Sequence, residues 1–329
     1  GASLALGLPL VVHADTASRL EALRGLHEEE EARRRLIRQA EVLKSATVLP
    51  AERGSAPGMV ARTEGGALVL LPGPPHEMRP LLAHVVAAVA VPGPEPRILS
   101  SVGITESDAL ARAGRALDDL SGIRLTLLAA QPGVRLVLFA DDTGEAALET
   151  AATRVTAELG DACYSTDGSS LPDVVVVLAR ERAALLSVAE SCTGGLVAAE
   201  LTSVPGASDV FCGGFVAYAN EFKHSVLGVE VDTLARHGAV SGPVALEMAR
   251  GALSRTGASH GVAVTGVAGP GGGSADKPVG TVWFALASET EESTVCHRLP
   301  GDRSHVRRRA AGIALDLFRR SLLRATDGD

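Results

Sequence analysis

Short apolar segments alternate with longer amphipathic ones through the last half of the chain, and this alternation restricts the fold more than any other feature. Leu185–Ala189 and Thr281–Ala287 have the length and composition of buried strands. Gly242–Thr256 and Ser304–Leu323 have those of helices. A regular alternation of strands and helices favours a sheet covered by helices on both faces. The sequence therefore predicts a three-layer α/β/α domain, which we assign to residues 167–329.

Two linkers divide the remainder of the chain, whose 329 residues are enough for several domains with cores of their own. One linker is the proline-rich segment Val91–Pro96, and the other is the polar segment Ser165–Ser170. We therefore expect three domains, at residues 1–92, 93–166 and 167–329.

The first domain is predicted to be α/β and the second to be α+β. Residues 93–166 show a β-α-β-β-α order, which favours a small sheet with its helices on one face. Residues 1–92 contain a charged segment predicted as one helix, Thr16–Val42, and a strand, Ala67–Leu71. The chain opens without Met, on what reads as the end of a helix followed by a strand. We therefore expect that part of the first domain is absent.

The overall composition narrows the classes of function. A net charge of −8 argues against a general nucleic-acid surface, which needs clustered Lys and Arg. The basic residues Arg303 and Arg307–Arg309 are interpreted as a solvated helix face. No apolar stretch approaches the roughly 20 residues of a membrane span. The four cysteines lack CxxC spacing and the nine histidines lack HExxH spacing, so the sequence indicates neither disulfides nor a zinc site. We expect a cytoplasmic protein with a small-molecule ligand.

Two glycine-rich segments follow predicted strands of the last domain. In the first, Ser191 and Thr193 precede Gly194 and Gly195 at the start of a helix, whose amino terminus can hold an anion. The second, Gly266–Gly273, would let the backbone approach a ligand closely. Each has a plainer interpretation, as a helix cap and as a mobile hairpin loop. Two such loops at the carboxyl ends of neighbouring strands nevertheless favour a ligand site.

Between the two loops lie Ser208, Tyr218 and Lys223. Amide hydrolysis without a metal needs a nucleophile whose proton a base can take, and a serine with a neutral lysine is one workable arrangement. A lysine acts as a base only when burial or nearby positive charge lowers its pKa. Spacing alone leaves open the alternative that these are ordinary surface residues.

Five segments of the last domain resemble, in order and spacing, the carboxy-terminal domain of the CinA family. Together they extend over most of residues 167–329, and the ordered set is far more specific than any one segment. They are Ala189–Gly195, Thr202–Gly206, His237–Ser241, Val264–Gly272 and Lys277–Val282.

This resemblance implies a nicotinamide-nucleotide amidase, which converts nicotinamide mononucleotide and water to nicotinic acid mononucleotide and ammonia in pyridine-nucleotide salvage. Carried onto this chain, it makes Ser208 the nucleophile, Lys223 the base and Tyr218 a partner in the proton path. It implies no cofactor and no metal for this reaction. The 5′-phosphate would bind at the helix terminus and at Arg303. The residues that line or anchor the substrate would be Ser191, Thr193, Gly194, Gly195, Thr265 and Arg303.

Residues 1–92 also resemble part of CinA, at Gly54–Gly58 and Leu71–Met78 of its MoaB-like, molybdopterin-binding-type domain. That domain is associated with a metal-dependent ADP-ribose pyrophosphatase, but its opening strand-helix unit and its glycine-and-aspartate loop have no counterpart in this sequence. A divalent metal is therefore expected only for a complete domain. A further alternative is a non-enzymatic binding protein linked to competence or DNA damage. We also expect a homo-oligomer.

Overall fold

The computed structural model describes residues 3, 6–23, 30–64, 66–89, 94–130, 132–141 and 144–324. The chain forms two compact units, Gly1–Pro92 and Gly93–Asp329. None of the described helices is both long enough and apolar enough to cross a membrane.

The first unit contains two small antiparallel sheets. Strand β1 pairs with β2, and β3, β4 and β5 form the other sheet, against which α3 packs through Leu81. Strand β5 confirms the strand predicted at Ala67–Leu71. The elements are β1 (Leu10–Val12), α1 (Ala14–Leu23), α2 (Glu30–Ile37), β2 (Glu41–Leu43), β3 (Thr47–Leu49), β4 (Gly58–Thr63), β5 (Gly66–Leu70) and α3 (Pro75–Val89).

The single helix predicted over Thr16–Val42 is wrong at its carboxyl end. Helix α2 ends at Ile37, a 3₁₀ turn follows at Arg38–Ala40, and the chain then forms β2, in which Val42 and Leu43 are buried. Burial of these apolar side chains in a paired strand outweighs the helical preference of the charged residues before them. Residues 24–29 of the predicted helix lie outside the described part of the chain.

The second unit begins with a four-stranded antiparallel sheet in the order β7-β8-β6-β9. Its helices α4 and α5 share one apolar core with the sheet, through residues such as Ala113, Leu136 and Val155. The β-α-β-β-α prediction is confirmed, and a short strand that was not predicted, β9, ends at the first residue of the expected polar linker. These elements are β6 (Arg97–Ser101), α4 (Glu106–Leu117), β7 (Ile123–Ala129), β8 (Val134–Ala140), α5 (Gly144–Leu159) and β9 (Cys163–Ser165).

The rest of the second unit is built on a five-stranded sheet in the order β11-β10-β12-β13-β14. Strands β11, β10 and β12 are parallel, and β13 and β14 continue the sheet antiparallel. The elements are α6 (Leu171–Glu181), β10 (Leu186–Glu190), α7 (Leu196–Thr202), β11 (Phe211–Val216), α8 (Asn220–Leu227), α9 (Val231–His237), α10 (Gly242–Thr256), β12 (His260–Gly266), β13 (Thr281–Ser288), β14 (Glu292–Arg298) and α11 (Arg303–Arg324).

Helices cover both faces of this sheet, which confirms the three-layer α/β/α prediction. One face packs α6, α7 and α11 against large residues such as Val262 and Phe284. The other face presents small residues such as Ala263 and Ala285 to α8, α9 and α10. Helix α10 lies close to the sheet, since a Cβ at Gly261 would be 2.8 Å from a carbonyl oxygen of that helix. Alternation of large and small side chains along the strands therefore sets the thickness of the two layers.

The parallel strands position the residues that follow them. Because β10, β11 and β12 run in the same direction, their carboxyl ends meet at one edge of the sheet. The amino terminus of α11 and the glycine-rich loop after β12 reach the same edge, since Arg303 donates to the carbonyl oxygen of Gly269 at 2.8 Å. In open α/β sheets this edge is where ligands bind.

Candidate active site

A cavity of about 290 Å³ lies at the carboxyl ends of the parallel strands. Its wall combines residues that follow β10, β11 and β12 with the first residue of α11. The polar and charged side chains among them give the cavity one amine, one guanidinium, one thiol and several hydroxyls. The residues that bear on its chemistry are Ser191, Cys192, Tyr218, Lys223, Thr265 and Arg303.

Lys223 is the buried basic group of this cavity. It lies in the first turn of α8, is 1% exposed, and donates from Nζ to the backbone oxygen of Tyr218 at 3.2 Å. Burial lowers the pKa of its amine, against the weaker opposing effects of Cys192 and Glu221. The lowered pKa increases the neutral fraction of Lys223, which is the form that can accept a proton.

Ser191 and Cys192 line the cavity together with Lys223 and are its candidate nucleophiles. Ser191 is 8% exposed, and its backbone N–H donates to the oxygen of Val264 at 2.9 Å, which extends the pairing of β10 with β12. Burial raises the pKa of the Cys192 thiol to about 12. A thiol with this pKa stays protonated near neutral pH and is a poor nucleophile. The Ser191 hydroxyl is therefore the better candidate.

The helix terminus expected to hold an anion is already occupied. Glu190, 1% exposed, accepts hydrogen bonds from the backbone N–H groups of Gly195 at 2.9 Å, Val197 at 3.2 Å and Ala198 at 2.9 Å. A phosphate at this position would meet the like charge of the carboxylate. None of Thr193, Gly194 and Gly195, which were expected to bind substrate, lines the cavity.

Ser208, the predicted nucleophile, is at the other end of the sheet. It lies in a 3₁₀ turn, Ala207–Asp209, that precedes β11, whereas Tyr218 and Lys223 follow that strand. The six residues of β11 span about 20 Å at roughly 3.3 Å per residue. Ser208 is exposed and does not line the cavity. The structure therefore does not bring Ser208 into the cavity with Tyr218 and Lys223, because an extended strand separates residues that are close in sequence.

Arg303, Tyr218 and Thr265 all line the cavity, as expected. The Arg303 guanidinium donates to Gly269 O at 2.8 Å and to Tyr218 Oη at 3.0 Å. Both acceptors are neutral, so these contacts do not neutralise its positive charge. The Thr265 hydroxyl donates to Ala239 O at 2.8 Å, so its proton is already used in a hydrogen bond to another residue of the cavity wall. Arg303 is therefore the group best suited to an anionic part of a ligand.

Two residues near the cavity were not identified from the sequence. Glu190 is the one charged residue of a fully buried strand, and such a position is the signal that could have identified it. Arg307 was assigned to a solvated helix face, but it is half-buried and donates to Cys192 O at 3.2 Å and Thr193 O at 2.7 Å. Arg303, Arg308 and Arg309 are exposed, so the prediction is wrong for Arg307 only.

The fold and the cavity define a class of protein: a three-layer α/β/α domain with a buried lysine and serine at the carboxyl ends of its parallel strands. Residues 168–322 match the family model described as the CinA C-terminal domain. A competence-damage inducible protein of Symbiobacterium thermophilum is 44% identical, over 96% of this chain and 79% of that protein. The chain belongs to the CinA family.

Two further relatives are similar to this chain. A CinA-like protein of Acidobacterium capsulatum is 38% identical over 87% of this chain and 72% of that protein. The crystal structure of the competence/damage inducible protein CihA from Agrobacterium tumefaciens has 42% sequence identity and a TM-score of 0.44. It covers 46% of this chain and 93% of that one.

Proposed function

We propose that this protein is an amidohydrolase that converts nicotinamide mononucleotide and water to nicotinic acid mononucleotide and ammonia. The observation that carries the proposal is that Ser191 and a buried lysine of lowered pKa, Lys223, line the same cavity. A serine with a neutral lysine base can hydrolyse an amide without a metal. Membership of the CinA family supports the same reaction class through the resemblance described above.

The mechanism assigns the nucleophile to Ser191. Its oxygen attacks the carboxamide carbon while neutral Lys223 takes the hydroxyl proton. The C–N bond then breaks, and the same proton passes from Lys223 to the departing nitrogen, which leaves as ammonia. Water then attacks the resulting ester while Lys223 takes a proton from it. The bond between the Ser191 oxygen and the acyl carbon breaks, the proton passes from Lys223 to that oxygen, and nicotinic acid mononucleotide is released. In this scheme Ser208 has no part, because it lies beyond the opposite end of β11.

Tyr218 and Arg303 have supporting parts in the proposal. The backbone oxygen of Tyr218 holds Nζ of Lys223, and its hydroxyl oxygen accepts from Arg303. Arg303 is proposed to bind the 5′-phosphate, since a guanidinium with only neutral acceptors can add a charge-assisted hydrogen bond to an anion. The positively charged pyridinium of the substrate, held near Lys223, would lower the pKa of its amine further.

Ammonia release from nicotinamide mononucleotide tests this proposal. Wild-type protein should release ammonia and form nicotinic acid mononucleotide, and Lys223→Met should release none, because the reaction then lacks its base. Lys44→Met is the matched control, since Lys44 is exposed in the first unit and should be dispensable. A folded wild-type protein that releases no ammonia would refute the function. Full activity of Lys223→Met would refute the mechanism.

A further inference from the structure

The turn that brings Ser191 into the cavity consists of residues 191–195, between β10 and α7. Gly194 and Gly195 both have positive φ, 60° and 94°. Glycine loses more conformational freedom on ordering than any other residue, so this turn is costly to hold in one conformation. The position of the Ser191 hydroxyl therefore depends on the bond of its own N–H to Val264 and on the contacts that hold the rest of the turn.

Glu190 holds this turn from the side of α7. Its carboxylate is buried and accepts the three backbone N–H groups described above, from Gly195, Val197 and Ala198. Hydrogen bonds to a charged acceptor are roughly twice as strong as neutral ones, and the amino end of a helix favours a negative charge. Glu190 thus ties the residue immediately before Ser191 to the helix that follows the turn.

Arg307 holds the same turn from the side of α11. Its Nε and one terminal nitrogen donate to the carbonyl oxygens of Cys192 and Thr193. The guanidinium lies directly over the turn, since a Cβ at Gly194 would be 3.2 Å from its terminal nitrogen. The peptide units between Cys192 and Thr193 and between Thr193 and Gly194 are therefore oriented by one side chain.

We infer that Glu190 and Arg307 are positioning residues for the reaction at Ser191. Neither lines the cavity, so neither acts by contacting the substrate. The inference rests on the proposed function, since it takes Ser191 as the nucleophile. Loss of either side chain is expected to lower kcat and leave KM unchanged. A displacement of about 1 Å in a reacting group costs roughly 100-fold in rate, while the contacts that bind substrate stay in place.

Arg307→Met tests the inference, with Arg308→Met as its matched control. Arg308 is the next residue on α11 and is exposed, so both variants remove one positive charge and only the first removes bonds to the turn. The first measurement is amide hydrogen exchange in peptides that cover residues 191–198, which needs no substrate. Exchange there should be faster in Arg307→Met than in wild type and Arg308→Met. Equal exchange in all three proteins would overturn the inference.

The second measurement is steady-state hydrolysis of nicotinamide mononucleotide. Arg307→Met should lower kcat about 100-fold at the wild-type KM. Arg307→Lys keeps the charge and one donor, and should recover part of kcat. An unchanged kcat, or a loss confined to KM, would overturn the inference. Failure of the proposed function can be distinguished from failure of this inference. In the first case wild-type protein releases no ammonia, and hydrogen exchange still decides whether Arg307 holds the turn.

Discussion

Replacing Glu190 with glutamine should destabilise the second unit by an amount that follows from three hydrogen bonds. One carboxylate oxygen accepts from Gly195 and Val197, and the other accepts from Ala198. Whichever way the new amide is turned, its NH₂ group faces at least one buried backbone donor, which costs about 1–3 kcal/mol. The remaining bonds lose their charge assistance, but a neutral amide is easier to bury than a carboxylate. We expect a net loss of about 2 kcal/mol in the free energy of unfolding.

Urea unfolding followed by tryptophan fluorescence measures this loss. Trp283 is the one tryptophan of the chain and lies in β13, in the same sheet as Glu190, so its signal reports on this domain. Glu200→Gln is the control, because Glu200 is exposed on α7 and its substitution should stay within about 0.5 kcal/mol of wild type. If Glu190→Gln also unfolds within that margin, the carboxylate is not holding the amino end of α7 as described.

Four further predictions follow, two for Lys223, one for Arg303 and one for α10. The rate of hydrolysis should rise with pH as Lys223 loses its proton. Because burial lowers the pKa of Lys223, the rise should occur below its ordinary value of 10.5. A profile of rate against pH measures this rise. The free energy of unfolding should also rise with pH over the same range, since Lys223 is still protonated in the unfolded chain where it has lost its proton in the folded protein. Urea unfolding of Lys223→Met at several pH values should lack this rise. Arg303→Met should raise KM for nicotinamide mononucleotide about tenfold, a loss of roughly 1.4 kcal/mol, and leave KM for the unphosphorylated riboside unchanged; equal effects on both would exclude a phosphate contact. Gly251→Ala should cost about 1–3 kcal/mol in thermal unfolding, because its Cβ would lie 2.0 Å from a carbonyl oxygen of α8, whereas Gly114→Ala, with open space, should not destabilise.

The layered fold could be predicted because the spacing of apolar residues in its long segments distinguishes strands from helices. Strands β10, β12 and β13 and helices α10 and α11 are long enough for the pattern of buried side chains to define them. Short elements were missed: α9, Val231–His237, and β9, Cys163–Ser165, gain their stability from packing against other parts of the fold. The same reason explains β2, where burial outweighs a local helical pattern.

The candidate site was predicted only in part, because the sequence does not show which strand ends lie together at one edge of the sheet. Lys223, Tyr218, Thr265 and Arg303 were expected near the substrate and do line one cavity. Ser208 was grouped with them through the family resemblance and its closeness in sequence. Ser191, expected to contact substrate, comes into the same cavity as Lys223 because β10 is parallel to both of its neighbours.

The comparison of Ser191→Ala with Ser208→Ala tests the central claim most directly. Both substitutions remove one hydroxyl oxygen, one inside the cavity and one beyond the other end of β11. With ammonia release from nicotinamide mononucleotide as the assay, Ser191→Ala should have no measurable activity and Ser208→Ala should retain the wild-type rate. Retained activity in Ser191→Ala, or loss of activity in Ser208→Ala, would contradict the assignment of Ser191 as the nucleophile.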